Sequence, residues 1–250
     1  MNSKRALLLI PARYESSRFP GKPLALIRGR PMIQRVYERL SLAGKTSDSV
    51  QFDLFVVTDN NLIKNTVEGF GGRVHFVSDE TSSGTERIAL AYERFHDIED
   101  YDLVINVQGD EPLICHTIIE SLANFHLSRK FDITTIVRPN DVDEVNPNTV
   151  KAIYCKSNSR CLYFSRAEIP FNRSNDKNLS YAHVGIYSYS PKSLQLFTSF
   201  DQGVYEKIEM LEQLRALENG QSIGAIEVNA HLQGVDVPED IAKVEEFLDD

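Results

Sequence analysis

Short apolar runs alternate with segments of helical periodicity in the first half of the chain. The runs ALLLIPA, FDLFVVTD and YDLVINVQGDEP are too uniformly apolar for a half-exposed sheet, so they predict strands buried on both faces. The segment PMIQRVYERLSLAG predicts an amphipathic helix, and two more helices are expected at Asn60–Phe70 and Thr85–Phe95. This alternation predicts right-handed β–α–β crossovers and a mostly parallel sheet.

The pattern changes after about residue 140. The segments TVKAIYCK, RCLYFSR and AHVGIYSYS predict strands with little helix between them, and hence a mixed or antiparallel portion. A helix-rich stretch, VYEKIEMLEQLRALENG, follows and closes at Gly220, and a last helix is expected from about Pro238.

Composition narrows the class of protein. The chain has 250 residues, a size that suits one large α/β domain or a main domain with a small appendage. Its net charge of −9 argues against general binding to nucleic acid or to an anionic membrane. No apolar run approaches the roughly 18–20 residues of a spanning helix. The 3 cysteines have no CxxC spacing, which favours reduced thiols in a cytoplasmic protein.

A cationic loop follows the first predicted strand. In IPARYESSRFPGKPL, Arg13, Arg18 and Lys22 could bind an anion, and the prolines would restrict the loop before binding. The loop has neither the GxGxxG nor the GK[ST] pattern of common phosphate-binding loops. The alternative is a solvated surface loop whose cations pair with nearby carboxylates.

Carboxylates follow a second buried strand and recur near the C-terminus. Asp110 in QGDEP is a natural magnesium ligand, because this ion takes one or two carboxylates together with phosphate oxygens. The alternative for Asp110 is the N-cap of a helix that begins near Pro112. Asp236 in GVDVPED, which also precedes a proline, has the same two interpretations.

Three other motifs are open to two interpretations each. SSGTER either caps a helix through Ser83 or Thr85 or reads the edge of a base. His183 at a strand start is either structural or part of a site. Arg166, after an apolar strand, either holds a carboxylate with two hydrogen bonds or is an ordinary surface arginine.

Seven motifs together resemble the 3-deoxy-manno-octulosonate (Kdo) cytidylyltransferases, also called CMP-Kdo synthetases. In order they are IPARYESSRFPGKPL, SGTERI, NVQGDEP, LYFSRAEIP, HVGIY, IEMLEQLR and GVDVPED, and they span nearly the whole chain. The resemblance implies an α/β, Rossmann-like nucleotidyltransferase fold with a mostly parallel mixed sheet, flanking helices and a smaller inserted α+β portion. It implies a nucleotide-binding core at 1–140 and 220–250, and a sugar-binding and dimerisation portion at 141–219.

The reaction implied by this resemblance joins CMP from CTP to a 3-deoxy-octulosonate and releases pyrophosphate, for lipopolysaccharide synthesis in the cytoplasm. The resemblance further implies Mg²⁺ as cofactor and a homodimer, with no nucleic-acid or membrane partner. The implied nucleotide-binding residues are Ala12, Arg13, Arg18, Lys22, Ser83, Gly84 and Thr85. The implied metal ligands are Asp110 and Asp236, which complete a catalytic set with Arg13, Arg18 and Lys22. The implied sugar-binding residues are Gln108, Arg166, His183, Glu212 and Gln213.

The chain departs from the family pattern at three places. Ala182 stands where a basic residue usually precedes the histidine, Ser190 stands where an arginine usually occurs, and the polar loop before Tyr181 is short. Loss of two cations would favour a cationic substrate, so we expect the 8-amino-3,8-dideoxy analogue of Kdo. Two alternatives are a cytidylyltransferase for another sugar acid, such as sialic acid, and a non-catalytic nucleotide sensor. The sensor would be expected to lack Asp110, Asp236 or Lys22.

Overall fold

The computed structural model describes residues 3–16, 18–45, 49–79, 81, 83–95, 101–140, 146–173 and 180–248. The chain forms two compact units, a first unit of Met1–Glu120 with His231–Asp250 and a second unit of Ser121–Ala230. The sequence-based division at 140/141 and 219/220 concerns function, and it stays a prediction. Most of the short polar loop before Tyr181, residues 174–179, lies outside the described residues.

The secondary-structure elements are numbered in chain order. The strands are β1 Lys4–Pro11, β2 Leu26–Ile27, β3 Arg30–Pro31, β4 Val50–Thr58, β5 Val74–Phe76, β6 Leu103–Asn106, β7 Ile133–Pro139, β8 Lys151–Cys155, β9 Arg160–Ser165, β10 Tyr181–Tyr189 and β11 Ile223–Glu227. The helices are α1 Met32–Leu40, α2 Asn61–Gly69, α3 Gly84–Phe95, α4 His116–Ser128, α5 Pro191–Ser199, α6 Val204–Glu209, α7 Gln213–Glu218 and α8 Asp240–Glu245.

The first unit contains a parallel sheet with strand order β5-β4-β1-β6. The central strand β1 is buried from Ala6 to Pro11, which explains its uniformly apolar sequence. The chain runs outward from β1 through β4 to β5 and then returns to β6 on the other side of β1. The direction of strand addition therefore reverses between β1 and β6, and such a reversal opens a crevice at the carboxyl ends of the strands.

The helices of the first unit follow the sequence patterns closely. Helix α1 buries Met32, Ile33, Val36 and Leu40, as the periodicity predicts. Helix α2 begins after Asn60, whose Oδ1 accepts from the N–H of Leu62 at 2.9 Å. The predicted helix at Thr85–Phe95 is confirmed as α3.

The second unit contains five strands whose pairings form a ring, β10-β7-β11-β9-β8 with β8 paired again to β10. The β7–β11 pair is parallel and the β7–β10, β8–β9, β8–β10 and β9–β11 pairs are antiparallel, which confirms the predicted mixed character. The helix-rich stretch is broken into α6 and α7 at Met210, which has a left-handed backbone with φ 53°. Across this break, buried Glu206 and Arg215 form two hydrogen bonds of 2.6 and 2.8 Å.

The described helices and the cysteines bear on two further expectations from the sequence, the absence of a membrane-spanning helix and the presence of reduced thiols. Within the described parts of the chain, no helix is both long enough and apolar enough to cross a membrane. The cysteines are free thiols, of which Cys161 is buried while Cys115 and Cys155 are partly exposed. Burial raises the pKa of the Cys161 thiol to about 12, so this thiol stays protonated and inert near neutral pH.

Candidate active site

A cavity of about 300 Å³ lies in the first unit where the chain leaves β1 and β6. The predicted cationic loop and the QGDEP segment both line it. Gly109 allows these two segments to approach, because a Cβ atom at this position would lie 3.1 Å from the carbonyl oxygen of Pro11. The residues that line the cavity are Pro11, Ala12, Arg13, Glu15, Ser16, Arg18, Lys22, Pro23, Gly84, Gln108, Gly109 and Asp110.

A cluster of four charged side chains, Arg18, Lys22, Asp110 and Asp236, lies at this edge of the sheet. Lys22 Nζ forms an ion pair with Asp110 Oδ2 and lies 4.0 Å from Asp236 Oδ1. Arg18 donates to Asp236 Oδ1 at 3.0 Å. The structure thus brings together the four residues, which come from three separate stretches of sequence. The alternative in which Asp110 caps a helix beginning near Pro112 is wrong, because α4 begins at His116.

The backbone of the cationic loop is fixed near Lys22. Gly21 adopts a left-handed conformation with φ 72°, which a side chain would disfavour, and its N–H donates to the carbonyl of Tyr14 at 2.8 Å. A short 3-10 helix, Lys22–Leu24, follows, and it contains buried Pro23. The position of the Lys22 backbone is therefore set before any ligand binds, while its long side chain keeps several rotatable bonds.

The C-terminal segment carries Asp236 to the cluster. The N–H of Val235 donates to the carbonyl of Asp110 at 2.9 Å. Asp240 Oδ2 then accepts from the N–H groups of Asp236 and Val237 at 3.0 and 3.2 Å. Burial alone would raise the pKa of Asp240, but hydrogen bonds from Lys243 and these two N–H groups outweigh it and lower the pKa. Asp240 thus stays ionised and holds the backbone of Asp236 in place.

The SSGTER segment contributes a helix start beside the cavity. Ser83 Oγ accepts from the N–H of Glu86 at 3.1 Å, so the capping interpretation is confirmed for Ser83. Thr85 is buried, and Gly84 lines the cavity together with Ala12. Arg13 donates to Thr81 Oγ1 at 3.3 Å, which links the cationic loop to the residue immediately before this segment.

Two buried polar residues of the first unit, Arg87 and Asn106, are not expected from the sequence patterns. Arg87 is 2% exposed and donates to Asp59 Oδ2 at 2.6 Å and to the carbonyl of Val77 at 3.1 Å, so it joins the ends of β4 and β5 to α3. Asn106, the last residue of β6, is completely buried, and neither of its amide atoms has a hydrogen-bond partner among the described residues. Asn106 precedes Gln108 by two positions. The signal for Asn106 is a polar residue inside an apolar strand run.

Arg166, in the second unit, is held by backbone carbonyls. Its Nε donates to Glu209 at 2.8 Å, and its terminal nitrogens donate to Pro147 at 3.0 Å and to Met210 at 3.3 Å. Glu209 in turn accepts from Ser165 Oγ and from the N–H of Arg166. These bonds use three of the five guanidinium N–H groups. Arg166 is therefore more than a solvated surface arginine, because it ties the end of β9 to the turn between α6 and α7.

The other predicted residues of the second unit are at least partly buried. His183 Nε2 lies 3.0 Å from Thr135 Oγ1, and burial lowers the pKa of the ring to about 3, so the ring is neutral at physiological pH. Glu212 is partly buried and immediately precedes α7. Gln213 is 5% exposed, and its Nε2 has no hydrogen-bond partner within the described parts of the chain.

Two of the three departures from the family pattern, Ala182 and Ser190, have local explanations. Ala182 is buried on β10 and pairs across the strands with Arg138 and Lys151, so a third basic residue here would meet two like charges. Ser190 caps α5 by accepting from the N–H of Ser193 at 3.1 Å. Neither position gives geometric support for recognition of an amine.

The charged cluster also offers oxygen atoms for a cation. Asp110 Oδ2, Asp236 Oδ1 and the carbonyl of Val235 all lie within 4.0 Å of the Lys22 ammonium. No group of three or more His, Cys, Asp or Glu residues with metal-binding geometry occurs in the described part of the chain. Magnesium needs only one or two protein carboxylates when phosphate and water supply the other ligands, so the donor set fits this ion.

Comparison with known proteins identifies several similar chains. The cytidylyltransferase family model matches residues 7–223. An 8-amino-3,8-dideoxy-manno-octulosonate cytidylyltransferase from Shewanella putrefaciens is 48% identical over 249 residues, with 97% of this chain and 98% of the relative covered. The corresponding enzyme of Shewanella pealeana is also 48% identical, over 94% of each chain.

Solved structures are similar across nearly the whole chain. A CMP:2-keto-3-deoxy-manno-octonic acid synthetase complexed with CTP is 38% identical, with a TM-score of 0.87 and coverage of 98% of both chains. A Leptospira borgpetersenii cytidylyltransferase is 14% identical with a TM-score of 0.62, covering 99% of this chain and 89% of its own. At that identity the likeness shows the fold alone.

The buried amide of Asn106 has no hydrogen-bond partner among the described residues, so its removal should not destabilise the protein. Replacement of Asn106 by Leu, which has a similar shape, should leave the free energy of unfolding unchanged or raise it by about 1 kcal/mol, because the variant no longer buries an unpaired amide. Urea denaturation of the purified protein measures this difference.

A matched control is Asn140→Leu, because buried Asn140 donates from Nδ2 to Ser180 Oγ at 3.1 Å, although its Oδ1 has no partner among the described residues. The control should lose about 1–3 kcal/mol. Equal destabilisation of both variants would contradict the prediction and show that Asn106 already has a partner, such as an ordered water.

Proposed function

The chain belongs to the cytidylyltransferase family, and on that premise we propose that it transfers CMP from CTP to the anomeric hydroxyl of 8-amino-3,8-dideoxy-manno-octulosonate and releases pyrophosphate. It is a nucleotidyltransferase of the Kdo type. The observation that carries the proposal is the meeting of Arg18, Lys22, Asp110 and Asp236 beside a cavity at the strand-order reversal. This is where sheets of this class bind nucleotides.

The cationic loop is proposed to bind the triphosphate of CTP. Arg13 and Arg18 provide planar guanidinium groups that match phosphate oxygens, and Lys22 provides a compact charge. All three line the cavity. The small residues Ala12 and Gly84 line the same cavity, which supports placement of the cytosine there, with Ser83 and Thr85 at the adjoining helix start.

Asp110 and Asp236 are proposed to hold Mg²⁺. When bound, the ion would lower the pKa of the attacking sugar hydroxyl and neutralise charge on the phosphate. Three contacts fix the backbones of these two aspartates. Asp240 fixes the backbone of Asp236, Val235 binds the backbone of Asp110, and Gly109 brings Asp110 close to the end of β1.

The protein's own residues contribute positioning and charge. Phosphoryl transfer needs little covalent chemistry from the protein, so alignment of the hydroxyl with the α-phosphorus and stabilisation of the leaving pyrophosphate supply most of the acceleration. Arg13, Arg18 and Lys22 would stabilise the charge that accumulates on pyrophosphate. The cationic loop and QGDEP contain no histidine, so neither segment supplies a histidine as a general base.

The sugar acid is proposed to bind through Gln108, Arg166, His183, Glu212 and Gln213. Gln108 lines the cavity of the first unit. In the second unit, the buried amide nitrogen of Gln213 lacks a partner within the described residues, and a hydroxyl or carboxylate of the sugar would satisfy it. Neutral His183 would act as a hydrogen-bonding group rather than as a cation. Within the described parts of the chain, Arg166 uses three of its five guanidinium N–H groups on carbonyls, and the other two would bind the sugar carboxylate.

The choice of the amino sugar is supported by similarity. The relatives named for the 8-amino sugar are 48% identical to this chain, whereas the CMP:2-keto-3-deoxy-manno-octonic acid synthetase is 38% identical. The product would supply an activated sugar for lipopolysaccharide. We place the reaction in the cytoplasm, and the three free thiols suit a reducing compartment.

A homodimer is also proposed, with α6 in the interface. The α6 side chains of Val204, Tyr205 and Ile208, and adjacent Met210, are each more than half exposed, and apolar patches of this kind are typical of protein interfaces.

Ile208→Lys should shift the protein from dimer to monomer in sedimentation velocity, because an unpaired charge would be buried in the interface. Leu62→Lys is the matched control, because it introduces the same charge at an exposed apolar residue of α2, outside the proposed interface, and it should leave the dimer intact. A wild-type monomer at micromolar concentration would contradict the dimer.

Pyrophosphate release with CTP and Mg²⁺ tests the proposed reaction directly. We expect a higher kcat/KM for the 8-amino sugar than for Kdo, loss of turnover with excess EDTA, and activity in the cytoplasmic fraction of cells. A clear preference for Kdo would contradict the amino-sugar assignment while leaving the cytidylyl transfer intact. Turnover with sialic acid alone would favour the other sugar-acid class, and no turnover with any sugar acid would favour the sensor.

A further inference from the structure

Lys22 occupies the position at which the two proposed metal ligands converge. Its Nζ pairs with Asp110, donates to the carbonyl of Val235 at 2.9 Å and lies 4.0 Å from Asp236. This environment, made of two carboxylates and a carbonyl, is the oxygen-rich site that a divalent cation requires. The side chain of Lys22 is only 15% exposed, so the ammonium is held within the cluster rather than in solvent.

The same lysine is needed elsewhere when CTP binds. Lys22 lines the cavity proposed for the triphosphate, and its backbone is fixed by the 3-10 helix and buried Pro23. One ammonium cannot remain at the centre of the carboxylates while a doubly charged cation occupies that position, because the two cations repel each other at short range. The flexible stem of the lysine allows the charge to move while the backbone stays in place.

We infer that Lys22 is an exchangeable internal cation, which fills the metal position in the nucleotide-free protein and transfers to the phosphates when CTP and metal bind together. This inference rests on the proposed function, because it takes Asp110 and Asp236 as metal ligands. Its consequence is that metal alone binds weakly. The nucleotide promotes metal binding by giving the ammonium a new anionic partner, and the metal promotes nucleotide binding to the same extent.

The ion pair also protects the nucleotide-free protein from self-repulsion. Asp110 and Asp236 would repel each other if neither had a cationic partner, and they are connected through the Val235 backbone. Arg18 donates to Asp236 at 3.0 Å, and among the described residues it forms no ion pair with Asp110. Removal of Lys22 therefore leaves Asp110 without its cation, and a metal ion is the natural replacement.

Binding of Mn²⁺ alone, followed by the electron paramagnetic resonance of the free ion, tests this inference without using activity. Lys22→Met keeps the apolar stem and removes the charge, and it should tighten Mn²⁺ binding at least about tenfold in the absence of nucleotide. Lys4→Met is the matched control, because Lys4 forms an exposed pair with Asp102 at 2.7 Å and its loss changes the net charge equally. The control should bind Mn²⁺ as the wild type does.

The double variant Lys22→Met/Asp110→Asn separates the two claims. If Lys22 exchanges with the metal, the double variant should lose the gain in Mn²⁺ affinity that Lys22→Met alone produces. If Lys22→Met binds Mn²⁺ no more tightly than wild type, while Asp110→Asn weakens Mn²⁺ binding in the presence of CTP, the exchange is contradicted and the metal site stands. If Asp110→Asn leaves Mn²⁺ binding with CTP unchanged, the metal placement in the proposed function is itself contradicted, and the exchange with it.

Discussion

The contact between Lys22, Asp110 and Asp236 is the interaction on which the site depends. The three residues are distant in sequence and lie on different segments. Lys22 is in the loop after β1, Asp110 follows β6, and Asp236 precedes α8. Their charges can meet only because the strand order reverses between β1 and β6 and leaves a crevice at that point. The fold thus places a cationic loop opposite carboxylates that it neutralises in the nucleotide-free protein.

The surrounding structure fixes the backbones of these residues and leaves the lysine side chain able to move. Gly21 and Pro23 fix the backbone of the cationic loop, and Asp240 accepts hydrogen bonds from the N–H groups of Asp236 and Val237. An apolar cluster beneath α8 anchors the C-terminal segment, and its buried members are Ile27, Met32, Leu113, Val235, Val244 and Leu248. Such fixed surroundings lower the cost of ordering the site on ligand binding and suit a reaction that relies on positioning.

The sequence predicts the elements of the first unit well, because apolar runs mark β1, β4 and β6, although Gln51 and Asp53 interrupt β4, and because α1 to α3 have clear caps or periodicity. It does not predict β7, in which the buried residues Thr134 and Thr135 interrupt the apolar pattern. The break at Met210 is also not predicted, because left-handed backbone is typical of glycine or asparagine and not of methionine. Motif order identifies the candidate site residues, but it gives no indication that Lys22 would lie between the two aspartates. Pairing across 88 residues, as between Lys22 and Asp110, depends on the tertiary fold.

The most direct measurement is a crystal structure of the protein with CTP and Mg²⁺. We predict that the triphosphate lies in the cavity lined by Arg13, Arg18 and Lys22, with Lys22 Nζ on phosphate oxygens and both aspartates on the metal. A complex in which Lys22 stays paired with Asp110 while the nucleotide binds outside this cavity would contradict this prediction.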